Sequence, residues 1–518
     1  MLATALTTSL LGLEANLVRV EVDSSRGPAS FDLVGLAEAS VRESRVRVRS
    51  ALAGLGVLLD EQRIVVNLAP GDVRKTGSAF DLAVAMATVA ALCLTPEGAL
   101  DGIVFLGELS LTGELRPVRG VLPQLLHARS LGIRRAIVPR DNGAEAAVVT
   151  GVATQIATSL SDVIGALARN EVLDDARYVP APRVARGVDL SDVRGQHGAR
   201  RALEIAAAGG HHVLMMGPPG GGKTMLARRL PTILPPLTEE EALEASAVHS
   251  IAGLLSSSQG LLTERPFRAP HHTVSDAGLV GGGLPVRPGE LSLAHHGVLF
   301  LDELPEFRRQ TLETLRQPLE DGMLVVARAR STATFPARPL VIAACNPCPC
   351  GYHRDGSSRC ACSPERVRSY LARLSGPLVD RLDLHVVLPP VDVASLSRAG
   401  VGEASSCVRE RVAAAREIQL RRSGGRDGTA RTNATLGPAE VQAVALPDED
   451  GQRLLTAAVA RLGLSARAFT KVLRVARTIA DLAGEPTVHA PHVAEAVQMR
   501  VFDRGQPRST LHAAAPPS

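Results

Sequence analysis

The sequence predicts a multidomain α/β chain, and three observations support that prediction. A glycine-rich loop at 217–224 (GPPGGGKT) follows a short apolar run and precedes a helix-like pattern, which is the setting of a phosphate-binding loop in an α/β sheet. The residues before the loop read as strands and helices of a separate α+β domain, whereas the pattern from about 396 onward is almost wholly helical. The length of 518 residues suggests about three to four domains.

Composition and charge limit the partners that the chain is expected to have. Aromatic residues make up 2% and tryptophan is absent, which argues against single-strand binding through many stacked bases. The net charge of +4 permits nucleic-acid contact without arguing for it. The longest strongly apolar run, 82–94, has 13 residues and is too short to span a bilayer. No basic residue precedes Arg19, as a secretory signal would require, so a cytoplasmic location without a membrane partner is expected.

The N-terminal residues 1–170 are expected to form an α+β domain of their own. The runs LVRVEVDSS, FDLVGL and RIVVNLAP read as strands between helical patterns. A hairpin that turns at Thr112–Gly113 is predicted from GIVFLGELSLTGELRPV. The charged segment 171–188 contains two prolines and lacks periodicity, so it is interpreted as a linker.

The loop at 217–224 has the residue types that hold a nucleotide phosphate. Its glycines let the backbone N–H groups turn toward phosphate oxygens, and the following helix presents its positive end to the same anion. Lys223 is expected to reach the β- and γ-phosphates, and the Thr224 hydroxyl to bind Mg²⁺. Lysine is otherwise rare, since 54 of the 57 basic residues are arginines. The predicted nucleotide-binding residues of this loop are Gly217, Pro218, Pro219, Gly220, Gly221, Gly222, Lys223 and Thr224.

Two later apolar runs end in polar residues that complete such a site. GVLFLDEL ends a predicted strand with Asp302, expected to hold Mg²⁺ through water, and Glu303, expected to polarise the attacking water. PLVIAACN ends in Asn346, whose neutral amide is suited to orient that water beside the γ-phosphate. Open α/β sheets bind ligands at this edge of their strands.

Cysteines cluster in the segment 345–363, CNPCPCGYHRDGSSRCACS. Two CxC pairs flank nine residues, and four thiolates brought together there would suit tetrahedral Zn²⁺. Free thiols with a structural role, or a redox switch, stay open as alternatives. The predicted zinc ligands are Cys348, Cys350, Cys360 and Cys362.

Two histidine pairs, 271–272 and 295–296, also invite a metal interpretation. Adjacent side chains point to opposite faces of a strand, and neither pair has an acidic neighbour in the sequence. Metal binding by either pair is therefore not expected.

The sequence resembles a known family over about residues 5–505. The matching segments include VNLAPGDVRKTGSAFDLAVAMA, RPFRAPHHT, LVGGG and GELSLAHHGVLFLDE, which are similar to the ComM/YifB family of magnesium-chelatase-like AAA+ ATPases. The resemblance implies a Lon-protease-like (ribosomal S5 domain 2-like) α+β domain at 1–170. It also implies an AAA+ P-loop NTPase core at 189–395 with an insertion before Asp302, a helical lid at 396–503, and a disordered tail at 504–518.

Lon proteases use a Ser–Lys dyad, and Ser78 falls near the position of that serine. No lysine lies between Lys75 and Lys223, so Ser78 lacks a base that would activate it. The N-terminal domain is therefore interpreted as non-proteolytic, with Ser78 as a turn or helix-cap residue.

The resemblance also assigns roles to residues outside the motifs. Asn346 matches the sensor-1 position, and Arg381 matches an arginine that enters the neighbouring subunit's site as an arginine finger. A salt bridge of Arg381 with Asp380 or Asp383 is the alternative. Arg467 matches the sensor-2 arginine that reaches the γ-phosphate from the lid, with Arg474 as a second choice.

Two further groups of residues are placed by the resemblance alone. Insertions of this type face a central pore, and the nucleotide base lies near the helix before the phosphate loop. The residues expected at the pore are Arg265, Arg268, His271 and His272, and those expected near the base are Val193, Gly195 and Gln196.

The function that the resemblance implies is that of an Mg²⁺-dependent ATPase working as a homo-oligomeric ring, with a hexamer expected. ComM-type members are DNA helicases that promote branch migration in recombination or DNA uptake, so DNA, single-stranded or branched, is the expected partner. A protein-remodelling ATPase that recruits clients through the N-terminal domain is one alternative. A metal-insertion subunit, as in magnesium chelatase, is another, although the fused N-terminal domain argues against it.

Overall fold

The computed structural model describes residues 1–500 with gaps, and its elements alternate between strands and helices before becoming wholly helical. The residues outside the description are 37, 73, 180–186, 284–285, 329–330, 357, 375, 391–401, 424–430 and 501–518. The tail expected at 504–518 and the middle of the expected linker lie outside the described residues. Over the rest, the structure is a multidomain α/β fold with a central parallel sheet and a helical C-terminal part.

The N-terminal region combines one large sheet with helices. Its strands are β1 (Leu2–Leu11), β2 (Glu14–Arg26), β3 (Ser30–Val34), β4 (Gln62–Ala69), β5 (Ile103–Phe105), β6 (Glu108–Leu109), β7 (Leu115–Arg116), β8 (Arg135–Pro139), β9 (Ala153–Ala157) and β10 (Asp174–Asp175). Its helices are α1 (Ala39–Gly54), α2 (Asp81–Ala91), α3 (Val121–Ser130), α4 (Gly143–Ala147) and α5 (Leu160–Arg169). The strand order among the described residues is β10-β9-β8-β5-β1-β2-β4-β3, with β6 and β7 forming a separate hairpin.

Local sequence explains these elements. In β2, Val18, Val20 and Val22 are fully buried and alternate with more exposed residues, the period-two pattern of a strand with one face on the core. Helix α2 is buried along almost its whole length, as its apolar run predicts. The predicted hairpin around Thr112–Gly113 is confirmed by the antiparallel pairing of β6 with β7.

The central region is organised around a parallel sheet. Its strands are β11 (Val213–Met216), β12 (Phe267–Arg268), β13 (Gly281–Gly282), β14 (Arg287–Pro288), β15 (Val298–Leu301), β16 (Met323–Arg328), β17 (Ser331–Pro336), β18 (Leu340–Cys345) and β19 (Leu384–Val387). Five of them form the sheet in the order β12-β15-β18-β11-β19, and all neighbouring pairs are parallel. Strands buried on both faces require continuous apolar runs, which explains VLFL and LVIAAC.

Helices and two hairpins surround this sheet. The helices are α6 (His197–Gly209), α7 (Lys223–Ile233), α8 (Glu239–Ala252), α9 (Asp276–Val280), α10 (Glu290–Leu293), α11 (Arg309–Glu313), α12 (Arg316–Asp321), α13 (Pro364–Leu371) and α14 (Gly376–Val379). Strands β13 and β14 pair antiparallel within the predicted insertion, and β16 pairs with β17 as a longer hairpin that the sequence analysis did not predict.

The C-terminal region is helical, as predicted. Its helices are α15 (Ser405–Arg422), α16 (Pro438–Val444), α17 (Glu449–Leu462), α18 (Ala466–Ala483) and α19 (Ala490–Gln498). Buried residues of these helices share one hydrophobic core with α6 and the central sheet. Among the described helices, none is long and apolar enough to cross a membrane.

The N-terminal region contacts the central region through α8. The backbone N–H of Gly120 donates to the Ser250 carbonyl (3.2 Å), and the Ser250 hydroxyl donates to the carboxylate of Glu145. Glu145 is buried, and burial raises its pKa. The turn between β1 and β2 also meets β17, where a Cβ on Gly12 would lie 3.0 Å from that of Ala333.

Candidate active site

Three strands of the central sheet bring the predicted site residues to one edge. Strands β11, β18 and β15 are parallel neighbours, so their carboxyl ends lie side by side. The glycine-rich loop follows β11, Asp302 follows β15, and Asn346 follows β18. We refer to this side as the carboxyl edge.

The glycine-rich loop curls between β11 and α7. Gly220 and Gly222 adopt positive φ angles of 74° and 84°, a conformation that costs a residue with a side chain more than glycine. A Cβ on Gly217 would lie 2.9 Å from that of Leu388. Because α7 begins at Lys223, the N–H groups of its first turn face the loop interior.

Lys223 is enclosed by oxygen atoms. Its ammonium donates to the carbonyls of Gly217 (2.7 Å) and Pro218 (3.0 Å) and to Oδ1 of Asn346 (2.9 Å). Burial lowers the pKa of Lys223. A phosphate oxygen can replace any of these acceptors, so the geometry suits an anion at this position.

The predicted Mg²⁺ ligands are also in contact. The Thr224 hydroxyl donates to Oδ2 of Asp302 at 2.9 Å, and the N–H of Glu303 donates to Oδ1 of the same carboxylate at 3.0 Å. A hydroxyl beside a carboxylate is a suitable oxygen donor set for Mg²⁺. Glu303 has φ = 51°, a conformation uncommon for a residue with a side chain.

A residue that the sequence analysis assigned elsewhere lies beside Glu303. His272 was expected to lack an acidic partner, yet its Nδ1 is 3.3 Å from Oε2 of Glu303. Strand β12 pairs with β15 through Phe267–Val298 and Arg268–Leu299, and the turn after β12 carries His272 to the end of β15, where Glu303 lies. The His272 ring is held by His271, with centroids 4.1 Å apart, and by the edge of Phe307.

The four predicted zinc ligands converge. The Sγ atoms of Cys348, Cys350, Cys360 and Cys362 all lie within 4.8 Å of one another, so this group can hold a metal ion. The Tyr352 N–H donates to the Cys350 sulfur and lowers the pKa of that thiol to about 6, which favours the thiolate form that metals bind. Cys345 is fully buried, as expected for a packed strand residue, and burial raises its thiol pKa to about 12.

The predicted arginines lie at the opposite edge. Arg381 precedes β19, and Leu384 of that strand pairs with Val213 at the start of β11. Four paired residues therefore separate Arg381 from the glycine-rich loop, which is about 13 Å along the strand. Arg381 is held by Glu320 (2.7 Å) and by the carbonyl of Arg316 (3.1 Å). We refer to this side as the amino edge.

An open cleft of about 1080 Å³ occupies the amino edge. Arg467, an exposed residue at the start of α18, lines it together with Arg381, and Arg474 lines it as well. Arg467, which was expected to reach the γ-phosphate from the lid, lines the same cleft as Arg381. The lining also includes His212 and Leu340, at the amino ends of β11 and β18.

The second histidine pair borders the same cleft and also has an acidic neighbour, contrary to expectation. Nε2 of His295 and of His296 lie 2.9 and 2.8 Å from Oε2 of Glu244. The N–H of Arg338 donates to Nδ1 of His295 at 3.2 Å, so Nε2 carries the proton that is donated to Glu244. Burial lowers the His295 pKa to about 4. Glu244, His295 and His296 lie close enough together to hold a metal ion, although a metal at Nε2 of His295 would have to displace that proton.

Other predicted positions are occupied by internal contacts. Arg265 is buried and donates to the carbonyls of Pro235 (2.7 Å) and His296 (2.7 Å), and Arg268 forms a bidentate pair with Glu290. Buried Arg265 is therefore structural, which disagrees with the expectation that it meets a threaded substrate, whereas the Arg268 side chain stays 32% exposed beside Glu290.

The remaining predicted positions belong to the nucleotide base and to the Lon-like serine. Near the expected base site, Val193 is fully buried and Gln196 donates to the Pro389 carbonyl at 3.3 Å. Ser78 lies in the turn before α2, and the ammonium of Lys75 donates to the Pro70 carbonyl.

Comparisons with known proteins agree with this organisation. Three family models match: "Subunit ChlI of Mg-chelatase" at 20–142, "Magnesium chelatase, subunit ChlI" at 189–396, and "Magnesium chelatase, subunit ChlI C-terminal" at 402–500. The chain is 43% identical to "Competence protein ComM" of Haemophilus influenzae, over 97% of this chain and 98% of that protein.

Two further relatives differ in the share of this chain that they match. "Uncharacterized protein YifB" of Escherichia coli is 42% identical over 96% of this chain and 97% of its own length. "DNA repair protein RadA" of Bacillus subtilis is 30% identical over 30% of this chain and 35% of its own length. From the near-full-length matches, the chain belongs to the ComM/YifB family of magnesium-chelatase-like proteins.

Proposed function

We propose that this protein is an Mg²⁺-dependent ATPase. The observation that carries the proposal is the convergence of Lys223, Thr224, Asp302, Glu303 and Asn346 at the carboxyl edge. These groups supply a phosphate-binding cation, oxygen ligands for Mg²⁺, a carboxylate base and a neutral amide. Phosphoryl transfer to water requires positioning and charge stabilisation of these kinds.

The residues divide the chemistry among them. The loop N–H groups and Lys223 bind the β- and γ-phosphates, while Thr224 and Asp302 hold Mg²⁺. Glu303 accepts a proton from the attacking water, and Asn346 orients that water beside the γ-phosphate. Mg²⁺, when bound, neutralises charge that develops on the phosphate oxygens.

The arginines at the amino edge support the proposal that several copies of the chain form a ring. Because Arg381 precedes β19, whose four paired residues separate it from the glycine-rich loop of its own chain, and because Arg467 lines the same cleft, we assign both to a neighbouring chain's nucleotide. A guanidinium supplied in trans stabilises the transferring phosphoryl group. A head-to-tail contact of this kind generates a ring when its rotation closes, and we propose such a ring, a hexamer.

DNA is the substrate that we propose for the motor. The support is the near-full-length similarity to a competence protein and the partial similarity to a DNA repair protein. In this proposal the protein is a helicase or branch-migration factor in recombination or DNA uptake, located in the cytoplasm. Its N-terminal region is a non-proteolytic Lon-like module, and its C-terminal helices are the lid of the ATPase.

The proposed cofactors are ATP and Mg²⁺, with structural Zn²⁺ at the cysteine cluster. The cluster belongs to the same part of the chain as the ATPase residues, since Cys348 follows Asn346 by two positions. Zinc has no redox chemistry of its own and suits a structural role with four thiolates.

The test is ATP hydrolysis by the full chain alone, with linear duplex, with single strands and with a four-way junction. We expect DNA, above all single strands or the junction, to stimulate hydrolysis, and Lys223→Ala to abolish it because the phosphate loses its cation. A rate of ATP hydrolysis that none of these DNAs changes would exclude DNA as the substrate of the motor. It would favour a protein client, which Glu303→Gln should then retain in a pull-down.

A further inference from the structure

The cysteine cluster touches the glycine-rich loop at two places. Asn346, two residues before Cys348, accepts a hydrogen bond from Lys223 at 2.9 Å. Gly351, one residue after Cys350, packs on Pro219 so closely that a Cβ would lie 2.4 Å from the proline Cδ. The loop that carries the thiols therefore lies against the loop predicted to bind phosphate.

The segment between these two contacts is stiff. Its sequence from Asn346 to Gly351 is NPCPCG, and the two prolines fix φ at their positions. The first cysteine of the cluster, Cys348, is fully buried. A displacement of the cysteine thiols therefore also moves Asn346 and Gly351, because the backbone between them has little freedom to adjust.

The spacing of the sulfur atoms matches that of a metal centre. A tetrahedral zinc with Zn–S bonds of about 2.3 Å places its sulfurs about 3.8 Å apart. The observed Sγ–Sγ distances are 3.3 Å for Cys348–Cys350, 3.7 Å for Cys350–Cys360 and 3.9 Å for Cys348–Cys360. A disulfide requires about 2.05 Å, so these distances favour a shared ion over a bond between sulfurs.

Backbone N–H groups point at the sulfurs, as they do around bound metals. The N–H of Tyr352 donates to the sulfur of Cys350, and the N–H of Cys362 donates to that of Cys360. Such donors stabilise thiolate ligands and fix their orientation. The cluster thus has a ligand set, a fitting size and a supporting hydrogen-bond shell.

We propose that Zn²⁺ at Cys348, Cys350, Cys360 and Cys362 braces the phosphate loop, so that nucleotide affinity depends on metal occupancy. The inference rests on the proposed function only in taking 217–224 as the nucleotide site. With the ion bound, the stiff segment holds Asn346 against Lys223 and Gly351 against Pro219. Without the ion, the two CxC pairs separate, and the glycine-rich loop loses its contacts with Asn346 and Gly351.

The test measures metal and nucleotide binding separately on the full chain, purified under reducing conditions. Elemental analysis should find about one zinc ion per chain, the stoichiometry of a four-thiolate site. Cys360→Ser should lose the zinc and weaken binding of a fluorescent ATP analogue by about tenfold, within the usual range for coupled sites. Cys407→Ser, a change at an exposed cysteine outside the cluster, is the matched control and should keep both properties.

A second variant and a reversible treatment keep the inference testable if Cys360→Ser does not fold. Gly351→Ala adds a methyl group that meets Pro219 at a residue with φ = 87°, and it should keep zinc while weakening nucleotide binding. Chelation of the wild-type chain, followed by added zinc, should lower and then restore affinity, with circular dichroism reporting the fold.

Two results would overturn the inference. One is a folded, reduced wild-type chain that binds nucleotide and contains no zinc. The other is loss of zinc without a change in nucleotide affinity. A wild-type chain that contains zinc and binds no nucleotide would instead refute the ATPase proposal and, with it, the coupling.

Discussion

The two edges of the five-stranded sheet differ in how their charged groups are satisfied. At the carboxyl edge, Lys223 binds Asn346 and Thr224 binds Asp302, so the polar groups from three strand ends meet within one chain. At the amino edge, Arg467 is exposed beside an open cleft.

The carboxyl edge is thus assembled by the strands of one chain, whereas the amino edge leaves an open cleft that a second surface can fill. A buried lysine needs acceptors from its own fold, and the carboxyl edge supplies them. Arg467 is exposed on the cleft, whereas Arg381 is mostly buried beside Glu320, and both guanidinium groups suit a partner with phosphate-like charge. We propose that the partner is the carboxyl edge of a second copy, with its nucleotide.

The largest effect is expected at the amino edge. Arg381→Ala should lower kcat for ATP by about 10³-fold or more, because an arginine finger contributes 10³–10⁵. Nucleotide binding by the isolated chain should stay unchanged, since Arg381 is remote from its own glycine-rich loop. Steady-state hydrolysis and equilibrium nucleotide binding measure the two effects. Arg421→Ala, at an exposed helical pair with Glu417, is the control.

The second-largest effect on kcat is expected at the carboxyl edge, when the proposed general base is removed. Glu303→Gln should lower kcat by about 10²–10⁴-fold, the usual contribution of a general base, and should leave ATP binding intact because Lys223 and Asp302 remain. Single-turnover hydrolysis with labelled ATP measures the loss. Substantial hydrolysis by this variant would assign the base to another residue.

A smaller effect is expected at His272. The imidazole restrains the Glu303 carboxylate from 3.3 Å, so His272→Ala should lower kcat by about tenfold with little change in KM, a loss of transition-state positioning. His272→Asn, which keeps an N–H donor, should recover part of the rate. His127→Ala in the N-terminal region is the control, and an increase in kcat for His272→Ala would contradict the positioning role.

The smallest effect on hydrolysis is expected where the N-terminal region docks. Ser250→Ala removes a donor to buried Glu145 and should lower the free energy of unfolding by about 1–3 kcal/mol, with kcat nearly unchanged. Chemical denaturation measures the loss, with Ser256→Ala at an exposed position as the control. Equal stability of the two variants would show that this contact contributes little.

The carboxyl edge could be predicted from sequence because its signals are local. Each of Lys223, Asp302 and Asn346 stands at the end of an apolar run, and parallel strands bring such ends together. The cysteine cluster could be predicted for the same reason, since two CxC pairs flank a short loop. Hydrophobic pattern and motif spacing contain this information without any knowledge of the fold.

The amino edge and the His272 contact depend on tertiary geometry. Arg381 and Arg467 meet at one cleft although 86 residues separate them in the chain, and only the packing of α18 beside the sheet brings them together. The parallel pairing of β12 with β15 brings the turn after β12, and with it His272, next to Glu303. The β16–β17 hairpin lacked a local signal, because Leu324, Val325 and Val326 are all apolar in the sequence and only the structure shows that Val325 is exposed between two buried residues.

The most direct test of the central claim mixes two inactive variants, Glu303→Gln and Arg381→Ala. If the site forms between chains, a mixed assembly places an intact Glu303 edge against an intact Arg381 edge, and ATP hydrolysis should rise well above that of either variant alone. If both residues serve the same chain's nucleotide, every chain in the mixture stays defective. No recovery of hydrolysis, in assemblies shown to exchange chains, would contradict the account.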